Sequence, residues 1–281
     1  MTIAAGKIVT LDLAGYDISG AVNGKLITNE GTLTINNTAE MVGHVYNTDI
    51  SAQSHDAVYN SGNLTVNNGI FGDSDSDQTN DNNISRGVAI RNVNGTATIN
   101  GGYFTAIDNF VNGGYAYAVI NSGGSMTINN ATVYGKNNGN IGSTDGTLTV
   151  KGGSFIINGE KSHYCLYSGG NTAKIVVEGG TFCKANQSSS SGGSPNLVYA
   201  AAGSIEIKGG NFSTDKSKYG DTNFKVSITG GLFNIDPSAS TPNYIADGYE
   251  AVAIDNGWYQ VGEIKSTAIA TEKDSSNIAA K

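Results

Sequence analysis

Leu64-Thr65-Val66-Asn67-Asn68-Gly69-Ile70-Phe71 decides the fold, because the chain repeats this phrase along most of its length. It returns as Ala97-Thr98-Ile99-Asn100-Gly101-Gly102-Tyr103-Phe104 and as Leu148-Thr149-Val150-Lys151-Gly152-Gly153-Ser154-Phe155. Anchored on the closing aliphatic, eight copies stand at Ile35, Val66, Ile99, Ile128, Val150, Val177, Ile207 and Ile228, in steps of 31, 33, 29, 22, 27, 30 and 21 residues. Periods of this size mark stacked repeats, in which each unit buries its apolar face only against its neighbours. The strand unit is constant and the spacing is not. The extra residues therefore belong in loops that leave the stack between rungs.

Period-two geometry sends Leu64 and Val66 inward and Thr65 outward. A second alternating strand precedes each triplet: Ile27-Thr28-Asn29, Val58-Tyr59-Asn60, Ile90-Arg91-Asn92, Val119-Ile120-Asn121, Leu166-Tyr167-Ser168, Val198-Tyr199-Ala200. Its aliphatic points in, the next residue out and the Asn in again. Stacking places Asn29, Asn60, Asn92 and Asn121 in one column, where each amide can donate to one rung and accept from the other. After the triplet a Gly-Gly or Asn-Gly pair supplies a sharp corner. A third inward column follows: Phe71, Phe104, Val133, Phe155, Phe182, Phe212 and Phe233. Each coil thus holds three short strands, and the third runs into the loop of variable length.

Composition agrees with an all-β chain. Glycine supplies 39 of 281 residues without a Gly-X-Y period, and only 3 prolines occur. No long window carries apolar residues at helical spacing. The formal charge is -8 and the only arginines are Arg86 and Arg91, so no basic patch exists to bind a nucleic acid or an anionic membrane. No run of about eighteen apolar residues signals membrane insertion. The opening Met1 to Lys7 has no export-signal pattern, which fits a virion component released by lysis or a piece of a longer surface protein. Cys165 and Cys183 lie at unlike positions of the coil and read as free thiols.

These rungs resemble the right-handed single-stranded parallel β-helix, the pectate-lyase-like solenoid also found in tailspikes and bacterial adhesins. More narrowly they resemble the repeat regions of adhesin-like surface proteins of gut bacteria and their phages. The resemblance is carried by Ile8-Val9-Thr10-Leu11-Asp12-Leu13-Ala14-Gly15, by rungs such as Thr32-Leu33-Thr34-Ile35, and by Tyr244-Ile245-Ala246-Asp247-Gly248-Tyr249-Glu250-Ala251-Val252. It implies about eight repeat-bearing coils over residues 1–240, with Ile8 to Ile18 as a first rung. Residues 241–262 read as a capping hairpin across Asp255-Asn256-Gly257, with Trp258 as a packing residue of the cap, and 263–281 as a polar linker or tail. It also implies a structural or adhesive role on a virion or cell surface, with a glycan or a surface or virion protein as partner and a homotrimer as one assembly.

Candidate sites lie where the repeat deviates. The outward column Thr28, Tyr59, Arg91, Ile120, Tyr167, Tyr199 offers aromatics that can stack on sugars, on another subunit or under a loop. Tyr59, Arg91, Tyr167 and Tyr199 are the expected partner-binding residues. Asp73, Asp75 and Asp77 begin a Ca²⁺-loop pattern, but Gln78 stands where an EF-hand needs Gly and Ile84 where it needs Glu, which favours a solvated acidic loop and no bound cofactor. An outward row of Thr34, Thr65, Thr98, Thr127 and Thr149, beside Thr32, Asn63, Thr96, Ser125 and Thr147, forms a hydroxyl array of the kind ice-binding solenoids use, or simply good outward strand formers. For catalysis, Asp56, Asp108, Asp145 and Glu160 sit at different coil positions, and His44, His55 and His163 do not align. They read as solvated loop charge. The chain is therefore expected to be non-enzymatic, against the alternative of a polysaccharide-degrading, tailspike-like enzyme.

Overall fold

The computed structural model describes residues 1–48, 55–72, 87–106, 117–135, 139–158, 164–185, 197–214, 225–239 and 243–265. Every inward aliphatic of the triplets lies opposite its counterpart one coil on. Leu11 pairs with Ile35, then Val66, Ile99, Ile128, Val150, Val177, Ile207 and Ile228 follow, all in parallel ladders. The protein is all-β, and its long parallel sheets form a nearly closed, solenoid-like stack. Residues spaced by one repeat in sequence are thus neighbours in space.

Strict alternation breaks at one place in each coil. In the first strands Lys25–Asn29, His55–Asn60 and Gly87–Asn92, two consecutive residues face the core: Leu26 and Ile27, Ala57 and Val58, Ala89 and Ile90. Ala118 and Val119, Cys165 and Leu166, and Leu197 and Val198 repeat the doublet. This bend turns the residue three before each outward column member outward as well, which makes a second outward column.

At the corner after the triplet, Gly69, Gly102, Gly153, Gly180, Gly210 and Gly231 all have φ between 104° and 128°, which side chains rarely adopt. A Cβ at Gly210 would also stand 3.3 Å from the ring of Phe212. From Gly69 onward one coil has no glycine here: Ala131 takes the corner, and the same coil carries Val133 where its neighbours carry Phe, while ahead of Phe71 the column holds Ile18 and Val45. Elsewhere the rings stack along the axis, with centroids 5.1 Å apart for Phe71 and Phe104, and 4.7, 4.8 and 5.0 Å apart from Phe155 through Phe182 and Phe212 to Phe233.

The asparagine column forms the expected ladder. Nδ2 of Asn29 donates to Oδ1 of Asn60 at 2.6 Å, Asn60 to Asn92 at 2.6 Å, Asn92 to Asn121 at 2.8 Å, and Asn121 to the carbonyl of Asp145 at 2.8 Å. All four are fully buried. Ser143, Ser168 and Ala200 continue the column. A second ladder runs along the surface with the opposite polarity: Asn129 donates to Asn100 at 2.7 Å, Asn100 to Asn67 at 2.8 Å and Asn67 to Asn36 at 2.7 Å. Asp12 precedes it in register beside Asn36, which accepts from Asn67.

The two ends differ. At the front, Ile8 and Tyr16 are 81% and 77% exposed, and Val9, Leu11 and Ile18 are only partly buried. At the back, Tyr249–Ala253 and Tyr259–Glu263 form an antiparallel hairpin, and the latter pairs antiparallel with Gly231–Phe233. Its turn uses Asn256 at φ 66° and Gly257 at φ 76°. Val261 joins the core and Tyr249 and Tyr259 pack against it, whereas Trp258, partly buried like them, lies outside the core cluster. The packing role expected of Trp258 belongs to its neighbours, because register with Phe233 selects Tyr259.

The ladders make a test of burial. Asn60→Ala leaves Oδ1 of Asn92 without its donor and Nδ2 of Asn29 without its side-chain acceptor inside the core, and is expected to cost about 2–4 kcal/mol in denaturant unfolding. Asn100→Ala, at the surface, is expected to cost under about 1 kcal/mol by the same measurement.

Candidate functional site

The outward side of the first strands carries the residues expected to meet a partner. Register places Thr28, Tyr59, Arg91, Ile120, Gly142, Tyr167 and Tyr199 in one column. The bend adds a second column, which begins Lys25, Asp56 and Val88. Tyr117 and Gly139 are paired farther along this side, and Tyr164 follows through its carbonyl bond from Asn140. Val88, Tyr117 and Ile120 form a small cluster of their own, separate from the core, with Tyr167 packed against it.

At one end the columns are joined diagonally. Arg91 Nε contacts Asp56 Oδ2 at 2.8 Å, and Lys25 Nζ stands 3.1 Å from the centroid of the Tyr59 ring. The Asp56 side chain is only 4% exposed and that of Arg91 24%. Asp56 Oδ1 has no hydrogen-bond partner. Asp56 is therefore a buried strand residue in an ion pair, which corrects its reading as solvated loop charge. Period-two alternation hid it, because alternation from Tyr59 turns Asp56 inward.

At the other end four tyrosines stack. Tyr117 lies 5.1 Å from Tyr167, Tyr164 lies 5.8 Å from Tyr167 and 4.4 Å from Tyr199, and Tyr167 lies 6.0 Å from Tyr199, all with nearly parallel rings. Gly139 and Gly142 make room for this. A Cβ on Gly139 would overlap the Tyr117 ring, and one on Gly142 would stand 3.4 Å from it. Tyr117 and Tyr164 were not singled out from the sequence, since they precede the alternating segment. The stack changes what Tyr167 offers: its faces lie against other rings, and its hydroxyl edge lies over Gly169. Burial raises the Tyr167 pKa above the usual tyrosine value, and Tyr199 raises it further.

The remaining candidates separate clearly. Asp73, Asp75 and Asp77 lie outside the described residues, as do Asp108, Glu160 and His163. Among the described residues no three His, Cys, Asp or Glu side chains converge, and no helix is long and apolar enough to cross a membrane. The threonine row is in register from Thr10 to Thr149. It ends at buried Val176 and at Glu206, which contacts Lys174 at 2.7 Å and Lys208 at 3.6 Å. The hydrogen bond from Lys174, then the charges of both lysines, lower the Glu206 pKa against the opposing effect of burial.

Both cysteines are free. Cys165 is buried in the column of small inward residues, and burial pushes its thiol pKa far up, so it stays a thiol. Its Sγ lies 3.4 Å from the carbonyl oxygen of Cys183 and 3.7 Å from Asn140 Nδ2. Lys184 is also fully buried, 6.0 Å from the Tyr164 ring centroid. No protein-family model, curated protein or solved structure matches the chain.

Two measurements probe the tyrosine stack. Gly139→Ala is expected to displace the Tyr117 ring, weaken the near-ultraviolet dichroism of tyrosine and cost about 1–3 kcal/mol. The raised Tyr167 pKa contributes stability that is complete below the unfolded value near 10 and is lost as pH rises through the folded value. Alkaline titration followed by tyrosinate absorbance should show a late-ionising group that disappears in Tyr167→Phe.

Proposed function

We propose that the chain is a non-enzymatic structural and adhesive module, a right-handed parallel β-helix displayed on a virion or bacterial cell surface. In this reading it presents loops and its outward aromatic face to a glycan or protein partner. The observation that carries it is the uninterrupted register of the aliphatic rungs from Leu11 to Ile228. Such a stack is stiff along its axis, because every rung repeats the contacts of the last. Length variation falls between the third strand of one coil and the first strand of the next. Right-handed winding is the general preference for parallel strands joined by crossovers.

Neighbouring rings occupy the faces of Tyr167, so a sugar would meet the stack at its rim rather than by lying flat on that ring. Residues 1–240 form the rod in this reading, 241–262 its cap and 263–281 a tether. A glycan array probed with the parent and with Tyr199→Ala should show carbohydrate binding that the variant weakens by about tenfold, the scale of one lost contact of about 1.4 kcal/mol. Incubation with capsular and pectic polysaccharides should release no oligosaccharide. Released product, or an unsaturated sugar absorbing in the ultraviolet, would instead establish a depolymerase.

A further inference from the structure

The back of the stack ends in a hairpin, whereas the front ends in open strand edges. Thr2–Ile3 and Ile8–Asp12 terminate one sheet and Ile18–Gly20 the other, and among the described residues each pairs only with the rung behind it. The carbonyl of Lys7 accepts from Thr32 and the amide of Leu13 donates to Asn36, so the odd-numbered residues here bond to that next rung. A parallel strand directs alternate residues to opposite sides. The amides and carbonyls of Ile8, Thr10 and Asp12 therefore point off the end of the stack, and all three residues are exposed. Inward, Val9, Leu11 and Ile18 leave the end of the core partly open. Around it Ile8, Tyr16 and Met41 are 81%, 77% and 74% exposed. Folded proteins ordinarily cover such an edge, because it is a template for pairing.

What fits this end is the end itself. A twofold axis through Thr10 sets Ile8–Asp12 antiparallel to the same strand of a second copy. Thr10 then lies opposite Thr10 and Ile8 opposite Asp12, so every amide that points off the end meets a carbonyl. Val9 falls opposite Leu11 on the inward face, and the two cores meet. The strands recede along the axis in chain order, and the same rotation sets Thr2–Ile3, the most forward, against Ile18–Gly20, the most recessed. The steps of the two ends match. Charge agrees: Lys7 opens the strand and Asp12 closes it, and antiparallel pairing brings each beside the other in both copies. The cap offers no such match, since Asp247, Glu250, Asp255 and Glu263 outnumber Lys265 there and would meet Asp12 and Asp17 with like charge. We propose that the front end is a dimer interface, on which a second copy of this chain docks front to front and continues both sheets. The pairing consumes the edge and closes at two copies, leaving a rod of double length with a cap at each end.

Sedimentation of the full chain over a range of concentrations tests this, with thermal melts of the parent and each variant. The parent is expected to sediment as a dimer. Thr10→Pro removes only an amide that points off the end, so it is expected to melt with the parent. Its dimer is expected to dissociate about a hundredfold more readily, because symmetry deletes two central bonds at once. Thr10→Cys is expected to give a disulfide-linked dimer under mild oxidation. Neither the parent, with its free Cys165 and Cys183, nor Val252→Cys on the cap is expected to do so. A monomeric parent overturns the interface, as does a trimer or an open-ended series of sizes. A dimer that folded Thr10→Pro leaves intact overturns it too. Where Thr10→Pro fails to fold, the crosslink decides: a dimer linked through Val252→Cys, or left unlinked by Thr10→Cys, overturns the front-to-front pairing.

Discussion

Parallel pairing in register puts like above like, and this constraint governs which residues each position of the coil can hold. A column of aliphatics, aromatics or amides gains from self-contact: methyl groups pack, rings stack and each amide both donates and accepts. A column of like charges would repel. Charged residues make up 14% of the chain, against roughly 25% in ordinary domains, and they enter the columns in alternation or in pairs. Lys151, Glu178 and Lys208 follow one another just past the triplets, and Glu206 stands between Lys174 and Lys208. Asp56 is held by Arg91 from the next rung. The same constraint that builds the rod also limits how a site can be built on it, since a polar group must find its complement one rung away or in a ligand.

The outward face shows that limit at work. Where Gly139 and Gly142 leave a rung bare, the ring of Tyr117 leans over it and reaches Tyr167. The face is thereby continuous from Val88 to Tyr199 in spite of the gap. Its two ends differ in chemistry: charge and an unpaired carboxylate oxygen around Asp56, stacked phenols around Tyr167.

What could be read from the sequence was whatever repeats with period two. The triplets, the ladder from Asn29 to Asn121 and the phenylalanine column all appear at the positions that alternation assigns. The doublet of inward residues in the first strand escaped, because it breaks alternation, and with it went Lys25, Asp56, Tyr117 and Tyr164. A signal was present: Ala57, Ala89 and Ala118 each precede the inward aliphatic, and a small apolar residue recurring at one place argues against an outward position. The surface ladder of Asn36, Asn67, Asn100 and Asn129 recurs just after each triplet, yet alternation alone does not mark it as a ladder. Asparagine serves a turn and a ladder equally well, and only the axial spacing tells them apart.

The coil with Ala131 and Val133 has a meaning beyond its own packing. In the glycine corners the hypothetical methyl group falls against the ring that follows, as at Gly69, Gly102, Gly210 and Gly231. Corner and ring thus behave as one inherited unit. A change at the corner alone meets a phenylalanine, and a change at the ring alone leaves a void beneath a glycine. The front coil that combines Gly43 with Val45 does so without a positive φ at the glycine, so a ring is given up where the corner is rebuilt as well. Repeats of this kind diverge more easily by copying whole coils than by exchanging single residues within them.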